Sequence, residues 1–343
     1  MTTATPAAPQ ATTPAETLPA VRRDLLPVLL PIALALVALP FVDPSTWVTL
    51  TIAALAMGMM IFVIASGLTL VFGLMDVLNF GHGAFIAVGA YIALSVLALT
   101  AGWMQVDSLG WNLTALGLAA AVAMVGTGLL GWAFERVIVK PVYGQHLKQI
   151  LITMGGLIVA EQLIHVIWGG DQKAMPLPPG LRGAIIVGDI AVEKFRLLAV
   201  VVGLVVFAAM VLVLNRTKIG LLIRAGVENS EMVEALGYRI RRLFVGVFVA
   251  GSALAGLGGV LLALYRETLT AAIGGDVMVL VFIVIIIGGL GSVGGCFLGA
   301  ILVALMANYT AFLMPKVAPA SNILLMVAIL MWRPQGLYPV AKR

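Results

Sequence analysis

Long apolar runs alternate with short polar segments along most of the chain. A helix needs about 20 apolar residues to cross the hydrocarbon core of a bilayer. The pattern therefore predicts an all-α polytopic membrane protein with about 8–10 transmembrane helices, some of them discontinuous and glycine-rich. The ten hydrophobic segments are 25–42, 47–74, 84–102, 112–134, 149–168, 197–214, 243–264, 277–290, 295–314 and 318–332. The second is long for one span, so it either tilts or breaks near Ser66 and Gly67.

One polar stretch, residues 215–242, interrupts this pattern in the middle of the chain. Within it, residues 228–236 are expected to form a short amphipathic helix. Asn229 or Ser230 would cap the start of this helix, and Gly237 would end it in a left-handed conformation. We interpret the stretch as a cytoplasmic coupling loop that passes force from a soluble partner to the membrane helices. Its charged residues are Arg216, Lys218, Arg224, Glu228, Glu231, Glu234, Arg239, Arg241 and Arg242.

The composition supports the membrane interpretation. Hydrophobic residues make up 62% of the chain and charged residues 10%, whereas ordinary soluble domains are about one quarter charged. The net charge of +5 does not indicate a nucleic-acid partner, because the basic residues cluster in loops where membrane topology accounts for them. Cys296 is the only cysteine, which excludes an internal disulfide. One cysteine and three histidines argue against a structural metal site, and we expect no cofactor.

The distribution of Lys and Arg predicts the orientation. With ten alternating spans and the N-terminus inside, 14 of the 20 Lys and Arg residues fall on the inside. Cytoplasmic loops carry the excess of positive charge, so both termini are expected in the cytoplasm. Residues 1–24 are rich in Thr, Ala and Pro and predict a disordered cytoplasmic arm before the transmembrane domain, residues 25–343. The outside loop 169–193 is either a contact for a substrate-delivering protein or a simple connection.

A polar, glycine-flanked elbow separates the second and third segments. It contains Asp76, Asn79 and His82, with Gly81 and Gly83 on either side of the histidine. Irregular backbone at membrane depth is tolerated where it is buried in protein or lines a wet cavity. The elbow is therefore either a tight turn with a packed histidine or part of the translocation path. Asp76 needs a partner or water, and His82 is a candidate partner.

The segment 288–299 contains six glycines in twelve positions. GxxxG spacing allows close helix approach in lipid, so close packing is one interpretation. The other is a broken helix at the path, because glycine-interrupted spans in both halves of a chain point to a transport site. The path candidates here are Gly288, Gly289, Gly291 and Ser292. The segment 246–259 also has small residues four apart and predicts a packed helix face, within the chain or against a second membrane subunit.

The motifs together resemble the membrane permease subunits of branched-chain (hydrophobic) amino-acid ABC transporters. The resemblance begins near Trp47, leaves residues 1–46 uncovered, and has Gly81 where the family pattern usually has alanine. It implies a periplasmic solute-binding protein, a second and usually non-identical permease, two cytoplasmic ATP-binding subunits and a location in the lipid of the bacterial inner membrane. The segments that carry it are 67–85, 135–142, 219–243, 288–300 and 332–337.

The resemblance also implies roles for residues of the central loop. Residues 224–237 resemble the coupling helix that docks on an ATP-binding subunit. An apolar face of Met232, Val233 and Leu236 would add to the contact, because surface ion pairs contribute only roughly 0–1 kcal/mol each. The candidate coupling residues are Arg224, Glu228, Glu231, Glu234 and Gly237.

Three other functions stay open at this point. The same family handles urea and short amides, and also aromatic acids. An ATP-independent secondary transporter would use an ionisable residue within the membrane, for which Asp76, Glu161 and His165 are the candidates. An enzyme is not expected, because the sequence contains no catalytic or nucleotide-binding motif. ATP hydrolysis would therefore belong to another chain.

Overall fold

Helices dominate residues 25–338, the part of the chain that a computed structural model of the protein describes. Ten of the helices within that range are apolar and correspond one to one to the predicted segments. They are α1 (Leu26–Ala38), α2 (Pro44–Met75), α3 (His82–Leu99), α5 (Leu109–Phe134), α6 (His146–Trp168), α7 (Lys194–Arg216), α10 (Ile240–Arg266), α11 (Ile273–Gly288), α12 (Val293–Leu313) and α13 (Ala318–Trp332). The predicted disordered arm, residues 1–24, lies outside the described residues.

Shorter elements fill the connections. Three short helices are α4 (Ala101–Gln105), α8 (Lys218–Glu228) and α9 (Ser230–Ala235). Four short strands are β1 (Lys173–Ala174), β2 (Ala184–Val187), β3 (Ile190–Glu193) and β4 (Thr268–Leu269). Strand β1 pairs with β4 and β2 pairs with β3, both antiparallel. The remaining turns are the 3₁₀ segments Leu39–Phe41, Lys140–Val142 and Pro179–Leu181 and the π-helical segment Glu135–Val139.

The lengths of the apolar helices confirm the predicted fold class. Seven of those described in residues 25–338, α2, α3, α5, α6, α7, α10 and α12, are long and apolar enough to cross a membrane. The shorter α1, α11 and α13 complete the set. Helix α2 runs unbroken from Pro44 to Met75, so the long second segment is one helix with no break at Ser66 and Gly67. The segments 277–290 and 295–314 form two helices, because α11 and α12 are separated at residues 289–292.

The helices α2 and α10 form the centre of the bundle. Helix α10 packs against α2, α3 and α5, and α2 also packs against α7 and α12. Glycines make these crossings close: a Cβ added at Gly251 of α10 would lie 2.7 Å from the carbonyl oxygen of Gly67 in α2. Close approach of this kind is what small residues provide between membrane helices. The predicted packed face 246–259 is therefore used within the chain.

The connections gather at two ends of the bundle. At one end, Asp76 Oδ2 lies 4.0 Å from His146 Nε2. At the same end, the C-terminal segment hydrogen-bonds to the end of α11. We call this the basic end, because it carries ten of the 16 Lys and Arg in residues 25–338. The opposite end holds β1–β4, and there Asn112 accepts a hydrogen bond from the backbone N of Gly180 at 2.9 Å. We call it the hairpin end.

Candidate functional site

The central polar stretch folds into α8 and α9 at the basic end. The hydroxyl of Thr217 caps α8 and accepts a hydrogen bond from the backbone N of Gly220 at 3.2 Å. The side chain of Asn229 caps α9 and accepts one from the backbone N of Met232 at 2.9 Å. Gly237 follows α9 with a φ of 88°. The predicted cap and left-handed glycine are confirmed, but α9 is shorter than the predicted helix, and α8 was not predicted.

One apolar row of α8 and α9 faces the bundle and another faces outward. Ile223 of α8 and Val233 of α9 are only 4% and 2% exposed. Met232 and Leu236 are 59% and 68% exposed, so the predicted apolar face is split between the two directions. The buried row fixes both helices against the bundle, and the exposed row is available to a partner. We name as the coupling surface the exposed residues Leu221, Arg224, Glu231, Met232, Glu234 and Leu236.

The structure distributes the candidate coupling residues over both helices. Arg224 is exposed on α8, and Glu231 and Glu234 are exposed on α9. Gly237 ends this surface. Glu228 is the last residue of α8, and its side chain lies outside the described part. The mixed charges surround an apolar row, which is the composition expected of a protein interface with a polar rim.

The elbow places its candidate residues in two different environments. Asp76 ends α2 in a left-handed conformation with a φ of 50°, and its carboxylate is mostly exposed beside His146. His82 is fully buried at the start of α3, where its Nε2 donates a hydrogen bond to the carbonyl oxygen of Ile64 at 3.0 Å. The hypothesised pair of Asp76 and His82 is therefore wrong. His82 instead ties the start of α3 to the middle of α2.

The side-chain amide of Asn79, in the elbow, lacks hydrogen-bond partners among the described residues. It is 0% exposed, yet neither its amide nitrogen nor its amide oxygen has a hydrogen-bond partner in the protein. The neighbouring backbone N of Phe80 donates to the hydroxyl of Thr153 at 3.1 Å, which holds the elbow against α6. On the same helix, Gln149 is buried with its Oε1 also unpartnered. A buried polar group without a partner costs about 1–3 kcal/mol, so these residues depart from ordinary core packing.

The glycine-rich segment forms a tight hairpin between α11 and α12. A Cβ added at Gly295 would overlap the carbonyl oxygen of Gly288, so the two backbones are in direct contact. Gly289 and Gly291 have φ values of 98° and 82°, which favour glycine. The hydroxyl of Ser292 caps α12 and accepts a hydrogen bond from the backbone N of Gly295 at 3.1 Å.

Two other segments close around this glycine hairpin. The backbone N of Leu337 donates to the carbonyl oxygen of Ile287 at 2.8 Å, which pairs the C-terminal segment with α11. On the other side, a Cβ added at Gly291 would lie 2.7 Å from the Cα of Gly73 in α2. Three of the segments that carry the family resemblance thus meet at one junction. The path candidates Gly288, Gly289 and Gly291 lie in this backbone junction, and their role in transport stays a prediction.

The order of these features along the chain matches one protein family. A family model described as "Branched-chain amino acid transport system / permease component" matches residues 50–332. The chain belongs to this permease family. The match runs from residue 50, within α2, to the end of α13, and therefore includes the elbow, the coupling surface and the glycine hairpin. No solved structure matches the chain.

Curated relatives agree with this assignment. The permease is 28% identical over 289 residues to the "High-affinity branched-chain amino acid transport system permease protein BraD" of Pseudomonas aeruginosa, covering 82% of this chain and 92% of BraD. It is 26% identical over 281 residues to LivH of Escherichia coli K12, covering 80% and 89%. It is 28% identical over 326 residues to LivM of the same strain, covering 86% and 71%. The names of LivH and LivM describe the same transport system.

One pattern in the sequence indicates the contact between α6 and the elbow. His146, Gln149 and Thr153 are, together with Lys148, the polar positions in the first half of α6. Spacings of three and four place them on one face of a helix. That face meets the elbow of the permease, through Asp76 and the backbone N of Phe80. A polar stripe at helical spacing in an apolar span therefore predicted a polar contact, although not its partner.

Proposed function

We propose that this permease is a transmembrane subunit of an ABC importer for branched-chain or other hydrophobic amino acids. It would move them from the periplasm to the cytoplasm across the bacterial inner membrane. The names of BraD, LivH and LivM support this substrate class. The excess of Lys and Arg at the basic end supports a cytoplasmic location for that end and for both termini. The chain itself would hold no nucleotide and no cofactor.

The observation that carries the proposal is the coupling surface. It presents an apolar row and mixed charges from two short helices, and its buried row contacts the bundle at α2, α7 and α10. A partner that moves this surface therefore pushes directly on the two central helices. Two ATP-binding subunits would dock here, one on each permease of a pair. To shift a bundle almost completely between two states, ATP binding must favour one state by about 5.5 kcal/mol.

Two further partners follow from this proposal. LivH and LivM are two differently named permeases of one transport system, which supports a non-identical second permease beside this chain. A periplasmic solute-binding protein would meet the hairpin end, where residues 169–193 form strands β1, β2 and β3. Membrane lipid would cover the exposed apolar faces of α6 and α7, whose spans are only 17% and 22% buried within the chain.

The coupling surface is tested by reversing its two acidic charges. In the double variant Glu231→Lys/Glu234→Lys, we expect about tenfold weaker association with the ATP-binding subunits and a matching loss of solute-stimulated ATP hydrolysis. The measurement is co-purification in mild detergent together with the ATPase rate. The matched control is Asp107→Lys, an exposed acidic residue in the connection between α4 and α5, outside residues 169–193. If the double variant associates as well as this control does, α9 is not the docking site.

A further inference from the structure

Two neighbouring clefts open at the hairpin end. The first has a volume of about 400 Å³ and is lined mainly by apolar residues of α3, α4 and the segment 175–179. The second has a volume of about 370 Å³ and is lined mostly by polar and charged side chains. Leu177 and Arg182 line both clefts, so an apolar space and a charged space meet at these two residues.

The charges of the second cleft are two cations and two anions. Arg196 and Glu193 neutralise each other, because Arg196 Nη2 donates to Glu193 Oε1 at 2.9 Å. Arg182 and Glu267 also line this cleft. Within residues 25–338, neither of these two has an ion-pair partner within 4.0 Å. One guanidinium and one carboxylate are therefore free to bind a ligand in the same cleft.

Backbone contacts hold together the two segments that carry these charges. Glu267 follows the central helix α10 in a left-handed conformation with a φ of 53°, which is uncommon for a residue with a side chain. Its carbonyl oxygen accepts a hydrogen bond from the backbone N of Met175 at 2.9 Å, and β1 pairs with β4 beside it. The loop that carries Arg182 is thereby tied to the end of α10 that carries Glu267. Conformations of this kind are often retained at binding sites.

We propose that the two clefts together form an entry site for a free, zwitterionic amino acid with an apolar side chain. The fork of the Arg182 guanidinium suits a carboxylate, and Glu267 is the counter-ion for the ammonium group. The apolar side chain enters the first cleft, where it is removed from water. The inference rests on the proposed function and adds to it. The permease itself binds both charged groups of the solute after the binding protein releases it.

A single reporter cysteine tests the site in the assembled importer. The native Cys296 is fully buried and is shielded from the label. Leu177→Cys adds an accessible thiol between the two clefts. The complex of permeases and ATP-binding subunits, without the solute-binding protein, is labelled with a membrane-impermeant maleimide, and the label on this chain is measured. We expect L-leucine to protect the thiol. Leucinamide lacks the carboxylate and 4-methylpentanoate lacks the ammonium group, so both should need about tenfold higher concentration or more.

Charge-neutral variants identify the residues responsible. Added to the reporter, Arg182→Gln should raise the protecting concentration of L-leucine about tenfold. Lys194→Gln removes an exposed cation near the second cleft that does not line it, and should leave that concentration unchanged. If Leu177→Cys lowers the yield of the complex, Tyr265→Cys reports from the second cleft.

The outcomes separate this inference from the proposed function. Equal protection by all three compounds, or no protection by L-leucine, overturns the entry site. An unchanged protecting concentration in Arg182→Gln overturns the assignment of the carboxylate partner and with it the site. If the clefts are instead a docking contact for the binding protein, Arg182→Gln weakens binding of that protein, and L-leucine alone gives no protection. Failure of the ATP-binding subunits to assemble with the permease contradicts the proposed function, whatever the labelling shows.

Discussion

Gly295→Leu is expected to abolish uptake and to lower the melting temperature of the permease, whereas Gly294→Leu should leave both close to the wild type. A side chain at Gly295 would occupy the position of the Gly288 carbonyl oxygen. The backbone of Gly288 cannot retreat easily, because its own carbonyl oxygen accepts a hydrogen bond from Tyr338 at 3.0 Å. Overpacking of well-packed interiors costs about 1–3 kcal/mol, and we expect the upper end of that range or more where backbone meets backbone.

The adjacent glycine provides a closely matched control for this effect. Gly294 lies on the same first turn of α12, is exposed, and has no atom within 4 Å of an added Cβ. Both variants add the same side chain and the same change in helix propensity, so only the contact with α11 differs. Thermal unfolding in detergent and uptake into proteoliposomes measure the two effects. A Gly295→Leu variant as stable and active as Gly294→Leu would show that α11 and α12 are not in close contact.

Replacing the fully buried asparagines Asn112 and Asn79 should have different effects on stability. Asn112 donates to the carbonyl oxygens of Trp103 and Val106 at 2.8 and 3.1 Å and accepts from Gly180 at 2.9 Å. Asn112→Leu leaves these backbone groups unpaired, and we expect a loss of about 3 kcal/mol. The amide of Asn79 has no such partners. Asn79→Leu should therefore leave the protein as stable as the wild type, or stabilise it by about 1–2 kcal/mol.

Asn79→Leu should reduce uptake although it does not reduce stability. An unsatisfied buried amide is retained at a cost, and we propose that a role in transport, in which the amide meets solute or water, accounts for that cost. We expect Asn79→Leu to reduce uptake at least about tenfold at unchanged or raised melting temperature. Asn79→Leu with full uptake would contradict a place for this residue in the path. A loss of stability equal to that of Asn112→Leu would show that the amide is paired in the folded protein.

The number and order of the membrane helices could be predicted from the sequence, because hydropathy and span length are local properties. A broken helix was one of two interpretations of the glycine segment 288–299, and Asn229 was one of two candidate caps of α9; both rest on local residue types. Helix α8 was not predicted. Lys218, Gly220 and Arg224 interrupt its apolar residues along the sequence. The apolar residues come together on one side only when the segment is helical.

The contacts between distant segments were not accessible from the sequence. Asp76 was matched with His82, six positions away, but it lies beside His146 on another helix. The face at residues 246–259 was predicted to pack closely, but its partners, α2, α3 and α5, depend on the way the bundle is assembled. The free charges of Arg182 and Glu267 are 85 positions apart and line one cleft, next to the pairing of β1 with β4. Spacing along a chain determines which residues share a helix face, and it does not determine what that face contacts.

The energy source of uptake tests the central claim most directly. Proteoliposomes that contain this permease, its second permease and the ATP-binding subunits are supplied with the solute-binding protein and radiolabelled L-leucine outside and with ATP inside. We predict that uptake requires internal ATP, stops with a non-hydrolysable analogue, is unaffected when ion gradients are collapsed, and falls about tenfold in Glu231→Lys/Glu234→Lys. Uptake that continues without ATP and depends on an ion gradient would contradict the account. It would direct attention to Asp76, Glu161 and His165 as the ion-coupling residues of a secondary transporter.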